Sequence, residues 1–515
     1  MRIPFLLEAV LITLVAGPVI AQPDAPASRH LSRAVLRDKI RGGWAAKMAG
    51  AAYGTPDEFR AQGKIMDFTP SWKPDQAAMS INNDDLYVQM TLAAVLDQVG
   101  LDATCAQFGE AFRVSRYGLW HANAGARRNL NRGIPAPWSG HPKYNAHADD
   151  IDFQIEADFI GFMCPGLPRV ANEYCDRVGH VMNYGDGVYG GMWLCGMYSA
   201  AFFESDVRKV IEAGLACIPA QSQYAALIRD VLTWSNQYPD NWTNCWKALE
   251  EKWDKDDVCP DGALAPFNID AKFNGGYIAL GLLYGRGDLG RTIEIATRAG
   301  QDSDCNPGNA AGVVGVILGY DRIPEKWKSG LPQVGDTKFL YTDYTLNQVI
   351  QATEAHALEL IKRAGGQVTD TEVVIPFQSP LAPKLEQWNP GVPYKKLDIN
   401  DPAWSWQGDW TKYDGAMTTV ASGSETTLRF DGVAVVIAGL LDQAGGKADV
   451  FLDGKKSDYL LDAFIVKDTH DNTLWNTYGL EPREHTLRIV TRGDADPRSH
   501  GHKISIQRAV IYRAP

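Results

Sequence analysis

Residues 300–320 read GQDSDCNPGNAAGVVGVILGY and place two closely spaced aspartates directly before an apolar run. We expect this run to form a buried helix, with Asn306 as its N-cap and Pro307 at its first helical position. Asp302 and Asp304 would then lie just before the helix N-terminus, where the helix dipole stabilises negative charge. One carboxylate is enough for that purpose, so the second one needs another explanation.

Residues 80–96 read SINNDDLYVQMTLAAVL and repeat this arrangement in a distant part of the sequence. Asn83 can cap a helix whose first residues are Asp84 and Asp85, and apolar residues follow at helical spacing. Carboxylate and amide oxygens are the ligands that Mg2+ and Ca2+ prefer, and a cation offsets the repulsion between clustered carboxylates. The pair of motifs therefore indicates a metal site, with two unrelated acidic first turns as the alternative.

The length and composition describe a multidomain globular chain. With 515 residues, of which 45% are hydrophobic, the chain exceeds a single core, which stops growing at about 250–300 residues. The net charge of -12 and the pI of about 5.4 argue against binding to nucleic acid or to an anionic membrane surface. They place no restriction on a small-molecule or glycan substrate.

The N-terminal sequence MRIPFLLEAVLITLVAGPVIAQ has the composition of a signal peptide, with an apolar run that ends in small residues. Glu8 and Pro18 interrupt the run, whereas a membrane span takes about 20 apolar residues. An uncleaved anchor is the weaker alternative, and no later stretch is apolar enough to cross a membrane. We therefore predict a signal peptide over 1–21, a linker over 22–35 and a secreted or periplasmic protein.

Eight cysteines lie in the first two thirds of the chain. In an exported protein some of them would pair, and Cys164 with Cys175 and Cys245 with Cys259 are the local candidates. The spacing leaves the connectivity open. Because the sequence contains no CxxC pair, it disfavours a zinc site.

The character of the sequence changes about two thirds of the way along. Residues 36–368 carry long segments with apolar residues at helical spacing, separated by loops rich in Gly, Pro and Trp. Later segments such as EVVIPF and HTLRIVTRG are short and rich in β-branched residues. They predict an all-β jelly-roll sandwich over 372–515, which is similar to galactose-binding-like and carbohydrate-binding modules. Trp404, Trp406 and Trp410 are candidates for stacking on sugar, although core packing is the commoner use of Trp.

Both acidic motifs resemble the signature motifs of the ADP-ribosylglycohydrolase family. NNDDLYVQ and GQDSDCNPG carry the resemblance most specifically. IRGGWAAKMAGAAYGTPDEF is similar to the first helix and Gly-rich turn of that family, and GDGVYGGMWLCGMYSAAF is similar to its central Gly-rich helix. The likeness spans residues 36–365 in the expected order. It implies an all-α orthogonal bundle with a binuclear Mg2+ site in a cleft.

The resemblance also implies the metal ligands and a catalytic acid. The implied ligands are Asn83, Asp84, Asp85, Asp302, Asp304 and Cys305. Asn83 offers a hard carbonyl oxygen in place of Thr or Ser, whereas the soft sulphur of Cys305 replaces a threonine hydroxyl and suits Mg2+ poorly. We expect two Mg2+ ions, with Mn2+ or Ca2+ as substitutes. Glu58 occupies the place of a catalytic or substrate-positioning glutamate, and Ala51 replaces a common aspartate.

Four further residues are candidates for binding the substrate: Gln154, Asp158, Asp186 and Tyr189. The first two lie in the acidic segment IDFQIEADFIG, for which a solvated or capping face is the alternative. The other two flank glycines that permit close approach of the backbone to a ligand or to another helix. His121, His141 and His147 lie in polar loops without ligand spacing and have no predicted role.

These residues predict a hydrolase. Glycosidic cleavage passes through an oxocarbenium-like state and needs water at the anomeric carbon; we expect Asp304 and Asp302 near that water and Glu58 as the acid or base. The predicted protein is an exported, metal-dependent hydrolase that cleaves a glycosidic bond of an ADP-ribosyl or related ribosyl or carbohydrate substrate. Three alternatives stay open: an extracytoplasmic hydrolase of another glycan, an inactive sugar- or nucleotide-binding protein, and a scaffold whose sandwich docks on a cell-surface glycan.

Overall fold

The computed structural model describes residues 28–254, 257–466 and 472–515. The predicted signal peptide and the first six residues of the predicted linker therefore lie outside the described residues. No helix within those three ranges is long and apolar enough to cross a membrane. The structure confirms a helical domain that is followed by antiparallel β-sheets.

The helical domain is built from one continuous stretch of chain. Its helices are α1 (Arg33–Gly54), α2 (Asp84–Val99), α3 (Cys105–Arg113), α4 (His121–Asn131), α5 (Asp152–Glu156), α6 (Asp158–Met163), α7 (Pro168–Gly179), α8 (Asp186–Ala201), α9 (Val207–Leu215), α10 (Gln223–Gln237), α11 (Trp242–Trp253), α12 (Ala271–Gly285), α13 (Leu289–Arg298), α14 (Cys305–Leu318), α15 (Glu325–Lys328), α16 (Leu331–Val334) and α17 (Leu346–Arg363). Short 3-10 helices span Thr55–Asp57, Pro74–Asn82 and Tyr320–Arg322. Hydroxyl side chains begin several of the helices, because each accepts a backbone N–H of the first turn, as at Thr104, Ser222 and Thr345.

Helices α1 and α14 approach each other closely because glycines lie along their contact. A Cβ atom on Gly50 would lie 2.4 Å from the carbonyl oxygen of Pro307, and one on Gly54 would lie 1.7 Å from that of Ser303. Neither contact is sterically possible, so larger residues would separate the two helices. The close approach brings the end of α1 to the start of α14, where the acidic motif at 302–305 lies.

The N-cap of α14 lies two residues earlier than predicted. It is Asp304, whose Oδ1 accepts the backbone N–H of Cys305 at 2.9 Å, and not Asn306. Pro307 is therefore third in the helix. The prediction was wrong because the first turn has no intrahelical acceptor for its N–H groups, so proline is tolerated at more than its first position.

All eight cysteines fall within the described residues, and all of them are free. The suggested pairing of Cys164 with Cys175 and of Cys245 with Cys259 is therefore wrong. Sγ of Cys259 instead lies 3.5 Å from Nδ1 of His147. The thiols of Cys164, Cys175 and Cys245 are also buried, and buried thiols of this kind pack as small apolar side chains.

The strands form three antiparallel sheets. They are β1 (Ser28–Ser32), β2 (Gln367–Val368), β3 (Glu372–Pro376), β4 (Val392–Asp398), β5 (Trp404–Gln407), β6 (Thr411–Tyr413), β7 (Ala416–Thr419), β8 (Glu425–Gly432), β9 (Ala434–Leu440), β10 (Gly446–Leu452), β11 (Lys455–Lys456), β12 (Leu461–Asp462), β13 (Thr473–Thr477), β14 (Arg483–Ala495) and β15 (Ile504–Arg513). The small sheet has the order β1-β3-β2. The larger sheets have the orders β11-β10-β14-β8-β5, with β12 paired to β10, and β13-β9-β15-β7-β6, with β4 paired to β15. Their facing side chains share one core that includes Leu428, Val435 and Ile489.

The small sheet belongs to the helical domain. Strand β3 pairs with β1, which lies in the predicted linker, and with β2, which follows α17. Val373 and Ile375 of β3 are fully buried in the core of the helical domain. The sequence predicted EVVIPF as a strand of the sandwich. Its β-branched composition identifies the strand but not the core that buries it.

The three tryptophans that were candidates for stacking on sugar, Trp404, Trp406 and Trp410, pack against one another. Trp404 is buried, and its ring stacks on that of Trp406 with centroids 5.2 Å apart. Trp410 meets Trp406 edge-on at 5.0 Å, and its Nε1 donates to the carbonyl oxygen of Glu425 at 3.0 Å. The contacts agree with the core-packing alternative for this cluster.

The sandwich rests on the helical domain through the outer face of β9 and β15. One apolar cluster joins the two domains, and its buried members are Ala434, Val436, Val510 and Tyr512 of the sandwich and Ala146, Val258 and Ala263 of the helical domain. The hydroxyl of Tyr512 donates to the carbonyl oxygen of Val258 at 2.8 Å. Because both faces of β9 are buried, its sequence AVVIAGL is continuously apolar instead of alternating.

Candidate functional site

The two acidic motifs lie next to each other in the folded chain. Nδ2 of Asn83 donates a hydrogen bond of 2.8 Å to Oδ2 of Asp304. The hydroxyl oxygen of Thr55, which follows α1, lies 3.4 Å from the same oxygen. The end of α1 and the starts of α2 and α14 thus form one group of residues, here named the acidic cluster, which consists of Asn83, Asp84, Asp85, Asp302, Asp304 and Cys305.

Asn83 holds the cap position of α2 without capping the helix. No hydrogen bond joins its side chain to the first turn, and its Nδ2 binds Asp304 instead. Its Oδ1 is buried and has no hydrogen-bond partner within the described part of the chain. Leaving a buried acceptor unsatisfied costs about 1–3 kcal/mol, so this oxygen is free to accept a contact from a cation, a water or a substrate.

Asp302, Asp304 and Cys305 each bring one potential ligand atom to within 4.8 Å of the other two. None of the three is more than 4% exposed. Burial, and then the carboxylates of Asp304 and Glu58, raise the pKa of Asp302 well above its usual range. Burial and the surrounding carboxylates also raise the pKa of the Cys305 thiol, so its sulphur stays protonated.

Asp84 and Asp85 enter the acidic cluster from the first turn of α2. Burial, and then repulsion from Asp304, raise the pKa of Asp84 to about 6. Burial raises the pKa of Asp85 to about 7, although Lys47 opposes the shift. Oδ2 of Asp85 accepts from Nζ of Lys47 at 3.0 Å, while Oδ1 is buried without a partner. One oxygen of Asp85 is therefore occupied, and the other is available to the acidic cluster.

Lys47 is a site residue that the sequence analysis missed. Its side chain is fully buried, and Nζ lies 3.0 Å from Asp85 and 3.2 Å from Asp158. Burial alone would lower the pKa of Lys47, but these two carboxylates raise it, so the ammonium group stays charged. A signal was present, because Lys47 is the one charged residue in the helical segment GGWAAKMAGAAYG. A lysine among small and apolar residues has to find a buried partner.

Asp158, predicted to bind the substrate, is buried behind the acidic cluster. Besides Lys47, its carboxylate accepts hydrogen bonds from the side chains of Gln89, Asn309 and Tyr198. Four donors leave it no free position for a sugar. Asp158 instead holds Lys47, and through it Asp85, in a fixed orientation.

The other three predicted substrate residues are occupied by contacts within the protein. Oε1 of Gln154 accepts from the hydroxyl of Tyr224 at 2.6 Å, and Oδ2 of Asp186 accepts from the backbone N–H of Tyr224 at 3.1 Å. The hydroxyl of Tyr189 accepts from the backbone N–H of Glu386 at 2.7 Å. These contacts connect α5, α8, α10 and the segment before β4, and none of them reaches the acidic cluster.

A cavity of about 1060 Å³ lies between the helical domain, the segment before β4 and the sandwich. Asp186 lines it, together with Asp149, Glu386, Trp388 and Trp475. None of the six residues of the acidic cluster, all of which the structure describes, lines this cavity. The cavity and the meeting point of the two acidic motifs are therefore different places.

Glu58 lies at the exposed edge of the acidic cluster, directly after the 3-10 helix Thr55–Asp57. Partial desolvation, and then the charges of Asp304 and Asp84, raise the pKa of its carboxyl group. A carboxylic acid that keeps its proton near neutral pH is suited to protonate a leaving group. The structure thus brings Glu58 to the carboxylates with which the sequence analysis grouped it.

The donors of the acidic cluster fit a hard divalent cation at all positions but one. Carboxylate oxygens and the amide oxygen of Asn83 match the ligands that Mg2+ takes. The unpartnered buried oxygens of Asn83 and Asp85 favour a cation, because it would satisfy both and offset the repulsion among the carboxylates. Cys305 does not fit, because a protonated thiol is a poor ligand for Mg2+.

Solved structures resemble the chain only at low overall similarity. An "ADP-ribosylglycohydrolase-related protein complex" is 14% identical with a TM-score of 0.38, over 62% of this chain and 98% of that chain. A family two carbohydrate esterase from Cellvibrio japonicus is 15% identical with a TM-score of 0.18, over 24% of this chain and 35% of that chain. A two-domain esterase active on acetylated mannans is 14% identical with a TM-score of 0.20, over 32% of this chain and 47% of that chain.

The sequence model of one family matches the helical domain. It is described as ADP-ribosylglycohydrolase and matches residues 32–361. No curated protein matches the chain. The matched residues contain the whole acidic cluster and amount to well over half of the 515 residues. The chain therefore belongs to the ADP-ribosylglycohydrolase family, which supports a function of the glycohydrolase type.

Proposed function

We propose that the protein is an exported, Mg2+-dependent hydrolase that cleaves the glycosidic bond of an ADP-ribosyl or related ribosyl substrate. The observation that carries the proposal is the 2.8 Å hydrogen bond between Asn83 and Asp304, because it joins the two acidic motifs into one cluster. The family match supports the glycosidic reaction. The resemblance of the motifs supports Mg2+ as the cation.

Five side chains would hold the cation: Asn83, Asp84, Asp85, Asp302 and Asp304. When bound, Mg2+ supplies a positive charge that orients sugar hydroxyls and makes a bound water more acidic. Asn83 would contribute its unpartnered Oδ1, because its Nδ2 is already bound to Asp304. The resemblance implies two ions. Because Cys305 is a poor ligand for Mg2+, we expect the second ion to bind more weakly than the first.

The carboxylates divide the acid and base roles between them. Glu58, at the exposed edge, has a raised pKa and would hold the proton for the oxygen of the leaving group. Asp304 is oriented by Asn83 and by the backbone N–H of Cys305, so one carboxylate oxygen faces each motif. Asp302 and Asp304 would accept the proton of the attacking water at the anomeric carbon. Lys47 and Asp158 position Asp85 and do not touch the substrate.

A turnover assay tests the proposal. The full mature chain is incubated with ADP-ribosyl peptides, ribosyl and pentosyl glycosides and aryl glycosides, in chelator and with added Mg2+. We expect Mg2+-dependent release of ADP-ribose or ribose, and its loss in Asp304→Asn. Release from hexosyl or aryl glycosides alone would replace the substrate class with another glycan. Ligand binding without turnover under Mg2+, Mn2+ or Ca2+ would make the protein an inactive sugar- or nucleotide-binding member of the family.

Export has its own test. Expression of the complete chain in a bacterium is followed by fractionation and N-terminal sequencing of the protein outside the cytoplasm. We expect a mature chain that begins at Gln22, since we propose cleavage after residue 21. Full-length protein that stays in the cytoplasm would contradict the signal peptide and leave the hydrolase proposal untouched.

A further inference from the structure

A second group of potential metal ligands lies where the helical domain meets the sandwich. It is named here the junction cluster and consists of His121, His147, Asp150 and Cys259. Each residue offers one ligand atom, and the four atoms all lie within 4.8 Å of one another. We propose that the junction cluster is a structural Zn2+ site, distinct from the acidic cluster.

The distances within the junction cluster are close to those of a tetrahedral site. Nδ1 of His147 lies 2.9 Å from Oδ2 of Asp150 and 3.5 Å from Sγ of Cys259. Nδ1 of His121 lies 3.7 Å from the same oxygen of Asp150. Tetrahedral Zn2+ with bonds of about 2.0–2.3 Å places its ligand atoms about 3.3–3.8 Å apart. Only small movements of side chains would therefore close the site around an ion.

The donor types select zinc over magnesium. Two imidazole nitrogens, one sulphur and one carboxylate oxygen are ligands that Zn2+ accepts together, whereas Mg2+ takes oxygen ligands. Four protein ligands leave no open position for water, which is the arrangement of structural rather than catalytic zinc. The carboxylate of Asp150 supplies a second observation, because its Oδ1 is buried and has no hydrogen-bond partner among the residues that the structure describes.

The surroundings favour a cation as well. Asp149 and Asp257 are buried nearby, and each has a carboxylate oxygen for which the described residues provide no hydrogen-bond partner. Asp149 and Asp257 lie within reach of the charge of Asp270, so negative charges repel one another there. A divalent cation would offset this repulsion. Nε2 of His147 lies 3.4 Å from the hydroxyl of Thr473, the kind of second contact that fixes the ring of a metal ligand.

The position of the junction cluster suggests what zinc would do there. His121 begins α4, His147 and Asp150 lie in the loop before α5, and Cys259 lies in the loop before α12. Thr473, the first residue of β13, belongs to the sandwich. One ion would therefore fix two long loops of the helical domain at the contact with the sandwich.

Cobalt substitution on the complete mature chain tests the site. The protein is stripped with a chelator and loaded with Co2+, which reports a bound thiolate through a sulphur-to-cobalt absorption band. We expect the band in the wild-type protein and in Cys305→Ser, the matched change at the acidic cluster, and its loss in Cys259→Ser. We also expect about one Zn2+ per wild-type chain, with the affinity lowered more than about tenfold in Cys259→Ser and in His147→Gln.

Wild-type protein alone gives a second measurement, which does not depend on how the variants fold. X-ray absorption of the zinc-loaded chain should show one sulphur ligand together with imidazole nitrogens. An all-oxygen shell, a cobalt band that persists in Cys259→Ser, or a band lost only in Cys305→Ser would each overturn the proposal. None of these measurements involves turnover, so they stand apart from the test of glycosidic cleavage.

Discussion

The acidic cluster and the junction cluster are two polar sites of the same helical domain that differ in their potential ligand atoms. The acidic cluster gathers carboxylates at the starts of two helices and is supported by the buried ammonium group of Lys47. The junction cluster gathers imidazole, thiol and carboxylate groups, mostly from loops. Yet the two sites share an apolar wall, since Cys305 and Cys259 belong to one small cluster of buried residues with Ile151, Ile155 and Ile269.

The two clusters differ in ligand type because their side chains come from different kinds of local structure. Helix N-termini stabilise negative charge, so aspartates accumulate at the starts of α2 and α14 and give hard oxygen donors. Loops between helices place no such restriction on residue type, so nitrogen and sulphur donors can meet there.

The largest effect is expected for Asp302→Asn in the acidic cluster. The variant loses a carboxylate that we propose to hold Mg2+ and to lie near the attacking water, which removes several kcal/mol of charge stabilisation. Steady-state kinetics should show kcat/KM lowered by about 10³-fold or more. Asp67→Asn, a change of the same type at an exposed position, should leave kcat/KM unaltered. A loss of less than about tenfold in Asp302→Asn would remove Asp302 from the reaction.

Replacement of Lys47 by Met should destabilise the fold. Asp85 and Asp158 would lose their shared buried partner, and breaking a buried ion pair in this way costs about 3–5 kcal/mol. Urea denaturation measures the free energy of unfolding. In the control Lys39→Met on the same helix, the ammonium group binds only backbone carbonyl oxygens, and the expected cost is about 1.5–3 kcal/mol. Equal losses in the two variants would mean that Lys47 is no more than a packing residue.

Cys305→Thr should strengthen Mg2+ binding by the acidic cluster. The change exchanges a soft, protonated thiol for a hydroxyl oxygen of similar size. We expect a tenfold lower Kd for Mg2+ in calorimetric titration, which corresponds to about 1.4 kcal/mol. Cys245→Thr, the same change at a buried thiol outside both clusters, should leave the Kd unchanged. Weaker binding in Cys305→Thr would show that the sulphur contributes to the site as it stands.

The last change concerns the ion pair that joins His180 to Glu386 of the segment before β4. Burial alone would lower the pKa of His180, but Asp176 and Glu386 raise it to about 10. Because this folded-state pKa exceeds the unfolded value of about 6.5, the stabilisation is complete below pH of about 6.5 and is lost as the pH rises through about 10. The urea midpoint of the wild-type protein should therefore fall across that window.

The His180→Gln variant should start with a lower midpoint and lose this part of the pH dependence. His500→Gln, at an exposed position of the sandwich, serves as the control and should follow the wild-type curve. A wild-type midpoint that rises between these pH values, or a variant with the same slope, would show that the contact with Glu386 does not depend on the charge of His180.

The sequence indicated the acidic cluster because its signal is local. Asp84 and Asp302 each lie at the start of an apolar helix, and this pattern can be found without any tertiary contact. The family resemblance then placed the two motifs in one site. The N-cap of α14 was missed because Asp304 and Asn306 are both good cap residues, and only the folded chain chooses between them.

The remaining features depend on contacts between distant residues. His121 and Cys259 are more than a hundred positions apart in the sequence. Within the junction cluster, only His147 and Asp150 lie close together in the sequence. The absence of a CxxC pair argues only against a zinc site built from a local motif. It does not bear on ligands that come from distant parts of the sequence. In the same way, the pattern of β3 predicted a strand but could not tell that Val373 is buried in the helical core.

The burial of β9 on both faces has a consequence for how the protein can be divided. A sandwich cut away from the helices would expose a row of apolar side chains to water, and such a patch promotes self-association. A cut at residue 372 would in addition take strand β3 from its neighbour β1 and leave an unpaired edge. The sandwich is thus an integral part of the folded protein and not an interchangeable attachment, so experiments on one domain should keep the other domain in place.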